Sequence, residues 1–290
     1  MSHTEAIRAR ARQLLEEKQV SCVIGYEVGP RGRTRPTFIY APDQIDRLVW
    51  NSACTHNLTR YLPGRLKVGK PGEPPPRVAV VVKPCDSRAI HVLLAESQFG
   101  REQVHVIGVA CEGIMDARSD GGQAELQARC RRCRERMPVL ADDVIGEAPS
   151  LPAELDPDED LARLEAMTAA ERTEFWLAQF DRCIRCYACR QACPMCNCPI
   201  CLFERDDSLW VGIGIRLNEK RAFHLGRAYH LAGRCIGCDE CERVCPMHIP
   251  IGLLNRHLAA EVNRAFGFQA GVAPVLGPLV TVLRDGEVHP

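Results

Sequence analysis

The feature that most constrains this chain is a duplicated run of cysteines. Cys183-x2-Cys186-x2-Cys189-x3-Cys193-Pro194 recurs as Cys235-x2-Cys238-x2-Cys241-x3-Cys245-Pro246. A cubane 4Fe-4S cluster needs four thiolates around it. The C-x2-C-x2-C spacing lets three of them wrap one cluster while the intervening backbone N–H groups point at its sulfurs. Two copies predict two clusters. Zinc also takes C-x2-C pairs, but as two pairs separated by a longer spacer, and two complete four-cysteine runs ending in Cys-Pro do not fit that pattern.

The whole chain holds 17 cysteines in 290 residues. Their odd number and tight clustering argue against a disulfide framework, which belongs to small secreted chains. The N-terminal stretch MSHTEAIRARARQLLEEKQV reads as an amphipathic helix with no apolar signal core. No apolar run approaches the roughly 20 residues that span a bilayer, so a cytoplasmic protein without a transmembrane segment is expected. Lys plus Arg equals Asp plus Glu at 37 each, which leaves no net field to favour nucleic acid. With 46% apolar residues the chain can bury one or two cores, and two domains are expected.

The organisation predicted is α+β: an N-terminal α/β domain over residues 1–150, then a mostly helical domain over 151–290. Val78–Val82 and Val104–Val109 read as buried strands and Ser87–Glu96 as a helix between them, a βαβ unit with parallel strands. Pro71–Arg77 (PGEPPPR) reads as a surface loop or strand lead-in. Acidic, proline-rich Gly146–Asp160 marks a linker, with Asp158–Asp160 near the start of the next helix. Further on, Ile251, Leu254, Leu258, Val262 and Ala265 share a helical face, and Gly267 is placed to end that helix.

Residues 183–250 resemble the dicluster ferredoxin module of electron-transfer subunits in hydrogenases, formate dehydrogenases, anaerobic sulfite reductases and heterodisulfide-reductase-linked complexes. In two-cluster ferredoxins the cysteine before proline ligates the other cluster. Carried onto this chain, the resemblance assigns Cys183, Cys186, Cys189 and Cys245 to one cluster, and Cys235, Cys238, Cys241 and Cys193 to the second. The 41 residues between Cys193 and Cys235 exceed a compact bacterial ferredoxin and include a predicted helix, Lys220–Ala232, so the helical variant matches better. The N-terminal half, through KPCDSRAIHVLLAE (83–96) and GVACEG (108–113), resembles the β subunits of deazaflavin-dependent hydrogenases and dehydrogenases and the sulfite reductase A subunit. Some of those relatives carry flavin, FAD or FMN. Here no G-x-G-x-x-G fingerprint follows a strand.

Other cysteines add a third candidate centre. Cys85 and Cys111 follow the two buried strands, at the sheet edge where α/β folds place ligands. Cys130-x2-Cys133 adds a pair with metal-ligand spacing, flanked by five arginines. These four are candidates for a third 4Fe-4S cluster; the alternatives are packed thiols, a zinc site or a redox dithiol. Cys196, Cys198 and Cys201 directly follow a predicted ligand and number only three, with Cys22 or Cys54 as a conceivable fourth. Cys22 and Cys54 taken singly read as core thiols. Lys83, Asp86 and Arg88 share the loop opening the predicted helix, where they could bind a flavin phosphate. Equally, Asp86 caps the helix and the cations are solvated. His224 and His230 are expected to pack or face solvent.

The function expected is electron transfer: a subunit without turnover of its own, relaying electrons between a catalytic or flavin-bearing partner and another carrier in a hydrogenase, formate dehydrogenase or heterodisulfide reductase type of complex. The alternative is a flavin-binding oxidoreductase subunit that reduces a deazaflavin, nicotinamide or sulfur substrate.

Overall fold

A computed structural model describes residues 1–66, 76–116, 125–150, 155–205 and 211–279. The N-terminal half is built on a five-stranded sheet in the order β2-β1-β3-β4-β5: β1 (Cys22–Val28), β2 (Thr34–Ile39), β3 (Val78–Val82), β4 (Val104–Val109) and β5 (Asp143–Ile145). β1 and β2 form an antiparallel pair, whereas β1, β3, β4 and β5 run parallel. β3 and β4 have the bounds expected from their apolar runs. Both faces of these strands are covered, which is why they carry valine and isoleucine without alternation.

Helix α1 (His3–Glu16) starts in a capping box between Ser2 and Glu5, and buries Ile7, Ala11, Leu14 and Leu15. These side chains join Val23, Ala79, Val81, Ile107 and Val109 on one face of the sheet. The opposite face, carrying Ile24, Tyr26, Val78, Val80, Val82, Val104 and Val106, is covered by α2 (Leu62–Leu66), α3 (Pro84–Ala95) and part of the cysteine-rich half: Cys193, Met195, Leu231, Ile236 and Cys238 belong to the same core cluster.

Helix α3 begins at Pro84, three residues before the predicted start. Proline at the first helical position needs no N–H partner, and Asp86 reaches back to the Lys83 N–H at 3.2 Å. The segment carrying Cys130 forms only a four-residue helix, α4 (Ala128–Arg131). Of the predicted loop, residues 71–75 lie outside the described residues, and Arg77 meets β1 by accepting the Ser21 N–H at 2.9 Å. Of the linker, 151–154 lie outside them too, while Asp158 caps α5 (Glu159–Ala166).

The remaining elements are α6 (Ala169–Asp181), α7 (Ala188–Ala192), α8 (Leu217–Leu231), α9 (Glu240–Arg243) and α10 (Ile251–Phe266). α8 is the predicted insertion helix, beginning three residues earlier. α10 buries Ile251, Leu254 and Val262, half-buries Leu258 and leaves Ala265 exposed in its last turn. It ends at Gly267, whose φ of 62° is the left-handed conformation that glycine adopts without strain. The whole is an α+β fold. Among the described residues, no helix is long and apolar enough to cross a membrane.

Candidate metal centres

The two cysteine runs repeat in backbone as well as in sequence. Arg185 and Tyr187 in the first run have φ of 54° and 57°; their equivalents Gly237 and Asp239 have 70° and 48°. Holding three non-glycine residues in the left-handed region costs about 1–2 kcal/mol each. Such turns point successive N–H groups into one concavity, a surface suited to negative sulfur. Thus the Arg185 N–H meets Cys183 Sγ at 3.3 Å, and the Gly237 N–H does the same for Cys235. The short helices α7 and α9 that follow pack against each other, which sets the two runs face to face.

This pairing brings Cys245 to the cysteines of the other run. Cys183, Cys186, Cys189 and Cys245 line one small cavity, floored by Phe223 and His224. Cys193 correspondingly faces Cys235, Cys238 and Cys241, close enough for its charge to act on all three thiols. Burial pushes Cys189 and Cys235 up to about 11, and Cys238 and Cys241 well above the usual thiol range. Buried thiols of this kind surrender their protons to a bound cation and not to water. Cys193 is the exception, held below the usual range by a hydrogen bond from Cys196 and, against its burial, by Arg227.

Unpartnered polar atoms lie nearby. Arg185 Nε, Arg227 Nε and both ring nitrogens of His224 are buried without hydrogen-bond partners, although such groups cost free energy when left unsatisfied. His224 lines the first cavity, and burial keeps its ring neutral, so one nitrogen is an N–H donor available to an acceptor sulfide. Around a tetrahedral zinc, at about 2.3 Å per bond, sulfurs would lie about 3.8 Å apart. Among the described residues, no three His, Cys, Asp or Glu side chains converge in a way that would hold a single ion.

A second, larger cavity of about 720 Å³ opens at the C-terminal ends of β3 and β4. Cys85, Cys111, Cys130 and Cys133 all line it, together with Cys235 and Cys238 of the second run. Backbone groups reach these sulfurs too: the Ile114 N–H meets Cys130 Sγ at 3.3 Å, Gly113 donates to Cys111, and Cys133 Sγ donates to the Glu135 carbonyl at 3.3 Å. Of the flanking arginines, Arg129, Arg132, Arg134 and Arg136 line the cavity, whereas Arg131 pairs with Asp156 at 2.5 Å. Arg136 is 8% exposed and its Nε has no partner. Arg129 ties the Cys130 segment to the second cysteine run. It donates to the carbonyls of Cys238 and, at 3.0 Å, Thr55, and pairs with Glu240 at 3.1 Å.

Lys83, Asp86 and Arg88 are engaged by the protein. Lys83 is 1% and Asp86 0% exposed, paired at 2.9 Å; the Lys83 ammonium also donates to Tyr26 Oη and to the His56 carbonyl. Arg88 donates to the Ala270 carbonyl at 2.6 Å and approaches Glu135. The burial of Lys83 and Asp86 escaped sequence reasoning because Tyr26 and His56 come from distant segments. Cys22 and Cys54 are buried in the sheet core, where Cys54 Sγ accepts the Asn51 N–H at 3.4 Å. Cys196 abuts Cys193, Cys201 is half-buried and Cys198 is exposed. His224 stacks on Phe180 at 4.7 Å, and His230 is exposed.

Residues 179–249 match the family described as a 4Fe-4S dicluster domain. The chain is 23% identical to the F420-dependent formate dehydrogenase subunit beta of Methanocaldococcus jannaschii, across 96% of this chain and 94% of that protein. It is 24% identical to the F420-dependent formate dehydrogenase 1 subunit beta of Methanococcus maripaludis, across 69% of this chain and 76% of that protein. The cysteine-rich half is an iron-sulfur electron-transfer domain.

Proposed function

We propose that this iron-sulfur electron-transfer subunit carries three 4Fe-4S clusters and relays electrons, in the cytoplasm, between a formate dehydrogenase type of catalytic partner and a second carrier. Two clusters belong to the crossed sets Cys183, Cys186, Cys189, Cys245 and Cys235, Cys238, Cys241, Cys193. The third belongs to Cys85, Cys111, Cys130 and Cys133. The observation that carries the reading is the large cavity, which these last four cysteines line together with Cys235 and Cys238.

When bound, such clusters accept and release single electrons. The chain supplies the surroundings. Left-handed turns aim N–H groups at the thiolates, and burial excludes water. Arg136 supplies positive charge that no protein group neutralises among the described residues, so an anionic cluster offsets a burial otherwise costly by several kcal/mol. Arg129 fixes the Cys130 segment to the Cys238 loop, so the third centre adjoins the second and the path runs from the exposed Cys186 end toward the sheet. Support for the flavin-bearing alternative is weaker, because Lys83 and Arg88 already have protein partners.

The test is iron, acid-labile sulfide and flavin content of the anaerobically purified full chain. About twelve irons and no flavin are expected, falling to about eight in Cys130→Ala. Cys193→Ala should disturb the cluster at Cys235, Cys238 and Cys241 more than that at Cys183. About eight irons in the parent, unchanged by Cys130→Ala, would remove the third cluster, and stoichiometric flavin would favour the alternative.

A further inference from the structure

Arg227 lies on α8, inside the insertion that separates the two cysteine runs, and is 4% exposed. Its Nη2 donates to the Cys189 carbonyl at 3.1 Å and its guanidinium reaches the Cys196 thiol. Nε has no partner. Among the described residues, no Asp or Glu comes within ion-pair distance of it, whereas the arginines nearer the linker are paired: Arg256 with Asp158, Arg132 with Asp239. A buried cation without a counter-ion costs several kcal/mol.

What Arg227 faces is sulfur, from both sets. Cys193, Cys196, Cys241 and Cys189 lie near enough for their thiolate forms to interact with it, and so does Cys235. Cys189 belongs to the first set, and Cys193, Cys235 and Cys241 to the second. The guanidinium bonds the first set through the Cys189 carbonyl and is within electrostatic reach of thiols of both C-terminal sets. His224, one turn earlier on the same helix, lines only the cavity of the first.

We infer that Arg227 is a positioning residue shared by both C-terminal clusters: its buried positive charge holds the two thiolate sets together and raises both reduction potentials. Reduction adds negative charge to a cluster, and a nearby cation in a low-dielectric interior favours that state. The inference rests on the two C-terminal clusters proposed above.

The experiment is an EPR-monitored redox titration of the full, anaerobically loaded chain, with iron content measured on the same samples. Arg227→Gln should lower the midpoint potentials of both C-terminal clusters, while Arg227→Lys, which keeps the charge, should load the parental amount of iron and stay near the parental potentials. A shift confined to one cluster, or none, overturns the inference. So does Arg227→Lys behaving like Arg227→Gln, or losing iron, since retained charge would then not suffice. Should Cys193→Ala disturb only the first cluster, the crossed sets fail. A joint shift in Arg227→Gln would still report a cation within reach of two centres.

Discussion

Asp86→Ala removes the counter-ion of a buried lysine. Lys83 and Asp86 are 1% and 0% exposed and 2.9 Å apart. Burial pushes the Lys83 ammonium down, but the facing Asp86 carboxylate outweighs it and holds it well above the usual lysine range. Breaking a buried pair from one side costs about 3–5 kcal/mol, because a charge is left unpaired. Lys83 retains Tyr26 Oη and the His56 carbonyl as neutral acceptors, which places the loss toward the lower end. At about 2–4 °C per kcal/mol for chains somewhat shorter than this one, the thermal midpoint should fall by about 10 °C. Replacing both partners by apolar side chains, Lys83→Met with Asp86→Leu, should recover most of that loss, since a buried pair is often no more stable than packed hydrophobes of similar volume. The assay is thermal and urea unfolding under anaerobic conditions, with iron and flavin measured in parallel because Cys85 lies between the two residues. An Asp86→Ala protein within about 1 kcal/mol of the parent, or a double variant as unstable as the two single losses added, would refute the argument. Loss of a bound flavin at unchanged thermal midpoint would return Lys83 to the role of an anion ligand.

The pH dependence should carry the mark of His56, which burial and then Arg243 push down to about 4. Its folded pKa lies below the unfolded value of about 6.5, so the unfolded chain binds more protons between those limits. Stability is therefore full above about pH 6.5 and declines as pH falls toward 4; urea midpoints at pH 7 and 5 should differ less in His56→Gln than in the parent. The proposed domain boundary at 150/151 predicts that limited proteolysis cuts first between residues 146 and 155, ahead of Asp156 and Asp158, which are held by Arg131 and Arg256. The nicked halves should co-elute in gel filtration, because Arg60 donates to the Gln191 carbonyl at 2.7 Å and Arg234 pairs with Glu96 across them; early cutting elsewhere, or separation of the fragments, would count against this account.

Much of the metal chemistry was legible in the chain because covalent spacing alone constrains it. Thiols three residues apart are close enough along the chain to converge on one centre, and the two copies share their left-handed residues, 185 with 237 and 187 with 239. β3 and β4 were legible for a related reason: a run such as VAVVV has no polar atom to place in water, so both faces must be covered. β1, β2 and β5 were less so. β1 and β2 mix glycine, tyrosine, threonine and charge, and β5 is three residues long, so their strand identity comes from the neighbours they pair with.

The sequence by itself determined which atoms could bind metal and in what local grouping, because ligand type and spacing are covalent properties. The tertiary structure alone decided which groups meet. It brought α7 against α9, so that Cys245 lies with Cys183, and laid the cysteine-rich half on the sheet, so that Cys235 and Cys238 share a cavity with Cys85 and Cys111. It also buried Lys83 against Asp86 and Tyr26, and left Arg227 among sulfurs without a carboxylate partner among the described residues. Those placements arise from packing between segments tens to hundreds of residues apart, where the free energy of burial and charge pairing is set by neighbours that no local pattern names.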